Sequence, residues 1–234
     1  ITKEIKMKNT KKIFFAAVFL CLTLAVLVHA EEAKTEKNVP AVSQDKVAVA
    51  QVVPVRNTTL DNLQEAFNGE KNANARYLAF AKKADEEGYG KAASLFRAAA
   101  RAEQIHFERH AALIEKMGGI PATRLEAPVV KRTMENLQAA FDGETYESTR
   151  MYPKFVKKAK ADKNEDAMDS FEDAEKAEAV HAGLYKKAMD NLKAWKGKSG
   201  KFYVCGFCGN VTEKMNFKEC PICGRSKKIY IEVR

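Results

Sequence analysis

Six residues in this sequence are spaced for metal chemistry. Glu103-Gln104-Ile105-His106 recurs as Glu178-Ala179-Val180-His181, 75 residues on. The stretch Asn62–Glu70 recurs as Asn136–Glu144, 74 residues on, so Glu70 and Glu144 are also equivalent. Each acid falls in an apolar stripe advancing by three and four residues, the signature of one helix face. The stripes are Leu60, Leu63, Phe67, Glu70, Asn74, Tyr77, Ala81, then Ala92, Phe96, Ala99, Glu103, His106, His110, Leu113, Met117. The duplicate pair is Leu137, Phe141, Glu144, Ser148, Met151, Phe155, with Ala167, Phe171, Ala174, Glu178, His181, Tyr185, Ala188, Leu192. None carries Lys or Arg. A carboxylate in an apolar core needs a partner, and four acids cannot stabilise one another. Two cations resolve the conflict, and an oxygen-rich set with one imidazole each suits iron or manganese.

Glu147, three residues after Glu144, breaks the symmetry because its duplicate position is Ala73. It reads either as an exposed helix acid or as a seventh ligand that makes the two metals unequal. His110 lies one turn beyond His106, where the duplicate has Tyr185, and reads as core packing. The remaining chemistry lies at the C-terminus. Cys205-Gly-Phe-Cys208-Gly and Cys220-Pro-Ile-Cys223-Gly are two Cys-x-x-Cys knuckles able to enclose one tetrahedral metal. Zinc and iron both accept four thiolates.

The elements that must position these groups follow from the breaks. Thr58 with Asp61 predicts a capping box opening the first helix. Gly88-Tyr89-Gly90, Gly118-Gly119-Ile120-Pro121 with Pro128, and Asp162-Lys163-Asn164 divide residues 57–196 into four helices. Two duplicated hairpins joined by a connection over residues 118–132 predict a four-helix bundle with a ferritin-like crossover. Residues 197–234 predict a small β ribbon.

The chain's 234 residues are 46% hydrophobic and 30% charged, which excludes a disordered or fibrous protein. The net charge of +9 weakens on inspection. Residues 1–30 hold five Lys and one Glu around an apolar run, Ile13–Val28, and end Val28-His29-Ala30, a secretory signal peptide. Without them +5 remains, interspersed in sign, so no nucleic-acid partner is expected. Their removal also takes Cys21, leaving four clustered cysteines. Residues 31–56 read as an extended linker. The expected location is the periplasm, with no membrane attachment after cleavage; retention of residues 13–30 as an anchor is the alternative.

Paired Glu-x-x-His helices followed by Cys-x-x-Cys knuckles resemble rubrerythrin over roughly residues 57–234. The resemblance implies a mainly α protein, a ferritin-like di-iron four-helix bundle followed by a rubredoxin-like Fe(Cys)4 ribbon. It tips the ribbon from zinc to iron. It implies Glu103 and Glu178 as bridging carboxylates, Glu70 and Glu144 as terminal ones, and His106 and His181 as the imidazoles. Glu147 matches an extra ligand exchanged with His106 on reduction. Tyr77 and Tyr152 match tyrosines near the site, with core packing as the other reading. The implied activity is reduction of hydrogen peroxide to water, with electrons from an external donor passing through the ribbon. The resemblance also implies a head-to-tail homodimer in which one subunit's ribbon lies near its partner's di-iron site. A ferroxidase and a non-enzymatic electron carrier are the competing functions.

Overall fold

A computed structural model describes residues 58–234; the expected signal peptide and linker lie outside the described residues. The first helix, α1 (Thr59–Glu86), starts at the predicted capping box, where Thr58 and Asp61 satisfy each other's backbone N–H groups. It turns at Gly88 into α2 (Gly90–Lys116). After the crossover come α3 (Thr133–Tyr146), a π turn (Glu147–Met151) and α4 (Tyr152–Ala161), then α5 (Glu165–Asp190). The predicted third helix is therefore two helices joined by a π turn, the one departure from four plain helices. The turn into α5 has Lys163 in the left-handed region, φ 56°, and Asn164 capping Ala167 N–H at 3.0 Å.

The stripes face inward as expected along most of their length. Leu63, Phe67, Glu70, Tyr77 and Ala81 are buried on α1, and Ala92 through His110 on α2. The α2 stripe ends early: Leu113 is half-buried, Met117 exposed, and Ile114 closes the core instead. Deep Ala positions such as Ala92, Ala99, Ala174 and Ala188 bring the helices close together.

The crossover, residues 117–132, is an extended strap laid along α1. Asn68 and Asn72 pin it: Asn68 Oδ1 accepts from Arg124 N–H at 2.9 Å, and Asn72 Oδ1 from Glu126 N–H at 2.8 Å. Asn136 secures the far end through Lys131 N–H, 2.9 Å. The duplicate positions of Asn68 and Asn72 are Asp142 and Tyr146, as expected if only α1 carries a strap.

The ribbon is a three-stranded antiparallel sheet ordered β2-β1-β3, with β1 Phe202–Cys205, β2 Val211–Thr212 and β3 Tyr230–Val233. It forms one compact unit with the bundle. The connector is tied down at the α1–α2 turn: Gly197 N–H donates to Gly88 O at 2.8 Å, and Gly200 N–H to Ser94 Oγ at 3.1 Å. Gly90 must be glycine here, because a Cβ would collide with the Gly197 carbonyl. Trp195 and Phe202 then pack together in the same core as the bundle.

Candidate metal centre

α1, α2, α3 and α5 each deliver one buried glutamate to the middle of the bundle, and α2 and α5 add a histidine. The ligand atoms form two overlapping groups, Glu70–Glu103–His106–Glu178 and Glu103–Glu144–Glu178–His181. Sharing of Glu103 and Glu178 is what a pair of cations bridged by two carboxylates requires. All four glutamates and both histidines are at most 1% exposed.

The polar atoms show that the space suits cations. Glu70 Oε2, Glu103 Oε1, Glu144 Oε2, both Glu178 oxygens and His181 Nδ1 are buried without a hydrogen-bond partner. His181 Nδ1 and Glu178 Oε2 lie 2.6 Å apart without hydrogen-bond geometry, as two ligands aimed at a common centre would. His106 Nδ1, hydrogen-bonded to Glu103 Oε2 at 3.1 Å, also lies 2.8 Å from Glu178 and 3.7 Å from Glu70. Such orphaned groups are costly unless a metal completes them.

The protonation behaviour tells the same story. Burial, then Glu103, Glu147 and Glu178, push the Glu70 carboxyl well above its ordinary range. Burial and Glu103 do the same to Glu144. Burial alone would lower the His106 imidazolium, but Glu178, Glu103 and Glu70 outweigh it and raise it well above 6.5. Burial opposes ionisation of Glu178 too, but His106 and His181 pull it below its usual value.

Two tyrosines fix the terminal carboxylates, each reaching across to the other hairpin. Tyr77 O–H donates to Glu144 Oε1 at 2.8 Å, and Tyr152 O–H donates to Glu70 Oε1. Burial, then the adjoining Glu, keeps both phenols protonated. Behind Tyr152, His110 Nε2 lies 3.2 Å from its hydroxyl and Nδ1 3.3 Å from Ser170 Oγ. Burial, then His106, lowers His110 to about 3, so the neutral ring donates to Tyr152 and accepts from Ser170. On the other hairpin Tyr185 replaces His110, and its hydroxyl is buried without a partner.

Glu147 joins neither ligand group. It opens the π turn beside them, half-buried, and burial followed by Glu178 and Glu103 raises its carboxyl to about 8. The π turn itself was not anticipated, yet a signal existed. The internal repeat has an offset of 74 at Glu70/Glu144 and 75 at Tyr77/Tyr152, so one residue is inserted between Glu144 and Tyr152. A π turn accommodates such an insertion within a helix, commonly at functional sites.

The four cysteines close a second site in the ribbon. Cys205 and Cys223 sulfurs are 3.8 Å apart, and Cys208 and Cys220 3.5 Å. A tetrahedron with metal–sulfur bonds of about 2.3 Å has edges of about 3.8 Å. The Cys208 hydrogen bond draws the Cys205 thiol down to about 5, while burial pushes Cys223 up to about 12. Tyr230 O–H reaches Cys220 Sγ at 3.1 Å.

The two sites meet through the backbone. His106 Nε2 donates to Cys208 O at 3.0 Å, and His181 Nε2 to Gly209 O at 3.1 Å. In a ring that held a metal through Nδ1, each bond would fix the required tautomer, with the proton on Nε2. Gly209 has φ +73°, and a Cβ there would collide with His106 Nε2. Phe207, between the guanidinium groups of Arg109 and Arg225, anchors the same knuckle. The seat that the resemblance assigns to a partner's ribbon is thus filled by the chain's own, because the pinned connector turns β1 back along α2.

A bundle and ribbon joined in this way define a di-iron carboxylate oxidoreductase of the ferritin-like class with a rubredoxin-like iron domain. The family model described as rubrerythrin matches residues 61–189. Nigerythrin of Nitratidesulfovibrio vulgaris is 38% identical over 198 residues, covering 84% of this chain and 94% of that protein. Rubrerythrin-2 of Clostridium acetobutylicum is 35% identical over 172 residues, covering 72% and 93%. The solved structure of fully reduced, all-ferrous nigerythrin superposes with a TM-score of 0.71 at 37% identity, covering 86% of this chain and 100% of that one. The chain belongs to the rubrerythrin family.

Proposed function

We propose that the protein reduces hydrogen peroxide to water, drawing electrons through the ribbon from an external redox protein. The observation that carries this reading is the pair of His–carbonyl bonds. Both imidazoles of the di-iron site are hydrogen-bonded to the Cys208-Gly209 knuckle of the four-cysteine site. A storage ferroxidase needs no such connection; a centre that must be re-reduced after each turnover does.

When bound, two ferrous ions supply the two electrons that convert one peroxide and two protons into two waters. The chain's residues do the rest. Glu103 and Glu178, shared by both ligand groups, would hold both irons, and Glu70 and Glu144 would each hold one, with Tyr152 and Tyr77 donating to Glu70 Oε1 and Glu144 Oε1. The Ser170–His110–Tyr152 chain ends on Glu70 Oε1, the point at which it holds a proton beside the site. Glu147 and His106 would be alternative ligands on one metal: His106 stands in a ligand group with Glu70, Glu103 and Glu178, and Glu147 opens the π turn beside it.

We further propose a periplasmic location, on residues 1–30 alone. The test is anaerobic stopped-flow on fully reduced, iron-loaded protein, with the Fe(Cys)4 absorbance as reporter. Reoxidation by peroxide much faster than by oxygen is expected. Faster reaction with oxygen, or a silent ribbon, would replace this reading with the ferroxidase one.

A further inference from the structure

The two sides of the bundle are unequal. The ribbon covers α2 and α5 at the histidines. On the opposite side, α1, α3 and the strap enclose a cavity of about 340 Å³. Its walls include Phe80 and Ala139, Asn72 and Asn136 hold its roof, and Arg76 lines it next to Tyr77, whose hydroxyl donates to Glu144. The volume is near the lower end for ligand sites, with room for a hydrated small molecule and too little for a flavin or nicotinamide.

Arg76 is the unexplained group. Its guanidinium lies 5.5 Å from the centre of the Tyr77 ring, and its Nε is buried without a hydrogen-bond partner. Burial opposes its charge, but Tyr77, Glu147 and Glu144 outweigh burial, so the cation persists beside the two acids of the α3–π-turn segment. Glu126 and Glu135 stand on the cavity rim, exposed and screened by water, together with Lys131. These rim acids disfavour multiply charged anions, whereas the inner guanidinium offers donors to a small acceptor.

We propose that this cavity is the oxidant's entrance and that Arg76 binds the incoming molecule. The guanidinium N–H groups donate to a peroxide, or to a singly charged small anion, at the Glu147 edge of the site. Electrons and oxidant then arrive from opposite sides of the bundle. Peroxide as the physiological occupant rests on the function proposed above; the binding site itself does not.

The test uses bromide as the probe and the full, metal-free chain. Crystals of wild type, Arg76→Met and Arg76→Lys are soaked in sodium bromide and anomalous density is measured. A peak against residue 76 is expected in wild type and Arg76→Lys, and none in Arg76→Met. A wild-type cavity without bromide, or an unchanged peak in Arg76→Met, overturns the proposal. In iron-loaded protein, loss of a charge-assisted bond should raise the KM for peroxide about tenfold in Arg76→Met, with kcat nearly unchanged. A fall in kcat at constant KM refutes the entrance role. Bromide binding in a wild type that turns over no peroxide supports the site and refutes the peroxidase reading instead.

Discussion

Glu147 should destabilise the metal-free protein and help to hold the metal-loaded one. Its carboxyl is raised from 4.5 to about 8, first by burial and then by Glu178 and Glu103. A carboxyl raised in the folded state binds a proton that the unfolded chain has released. The contribution of Glu147 to stability is therefore greatest below pH 4.5 and falls as pH rises towards 8. At pH 8 the cost approaches about 4 kcal/mol, from about 1.36 kcal/mol for each pH unit of difference. Glu147 retains some contact with water, so about 2 kcal/mol is the realistic size. At pH 5 the cost is below about 1 kcal/mol. Glu147→Gln mimics the protonated acid. Without metal, it should raise the urea midpoint at pH 8 by about 1 M, given slopes of about 1–3 kcal/mol per M, and hardly change it at pH 5. With iron loaded and oxidised to the ferric state the sign should reverse, because there wild type gains a ligand that the variant lacks. A metal-free variant no more stable than wild type at pH 8 would refute the placement of Glu147 beside the other acids.

Gly209→Ala forces a side chain into a left-handed position facing His106, costing at least about 1–2 kcal/mol by conformation alone. Both iron sites should keep their spectra, while peroxide-driven reoxidation of Fe(Cys)4 slows in stopped-flow. Tyr152→Phe removes the donor to Glu70 Oε1 and should lower stability by about 1–3 kcal/mol in urea titration. Burial, then His106, lowers His110 to about 3, so only the unfolded chain protonates there as pH falls below 6.5. His110→Gln should therefore reduce the loss of metal-free stability between pH 7 and 5, read from urea midpoints at both pH values.

What was legible in the sequence was whatever local periodicity encodes. Thr58 and Asp61 announced the first helix because a cap is a contact between near neighbours. The Glu and His ligands stood out because a charge within an apolar stripe violates the pattern around it. The knuckles were readable because both sulfurs of a pair lie within one turn of chain. The π turn was half-legible, its inserted residue recorded in the change of repeat offset. Arg76 passed unnoticed because its cavity exists only once the strap crosses α1, a meeting of distant segments. The docking of the ribbon was invisible because Cys208 and Gly209 act there through carbonyl oxygens, which every residue possesses.

That last feature bears on how such a protein can diverge. A grip made by main-chain oxygens depends on the path of the knuckle and little on its side chains. Apart from Phe207 with its two arginines and the bare position 90, the surface joining the two iron domains can therefore drift in composition, provided that position 209 stays bare and the loop keeps its curvature. Variation around the seam should be broad in substitutions and narrow in insertions or deletions, since adding or removing one residue misplaces both carbonyls together.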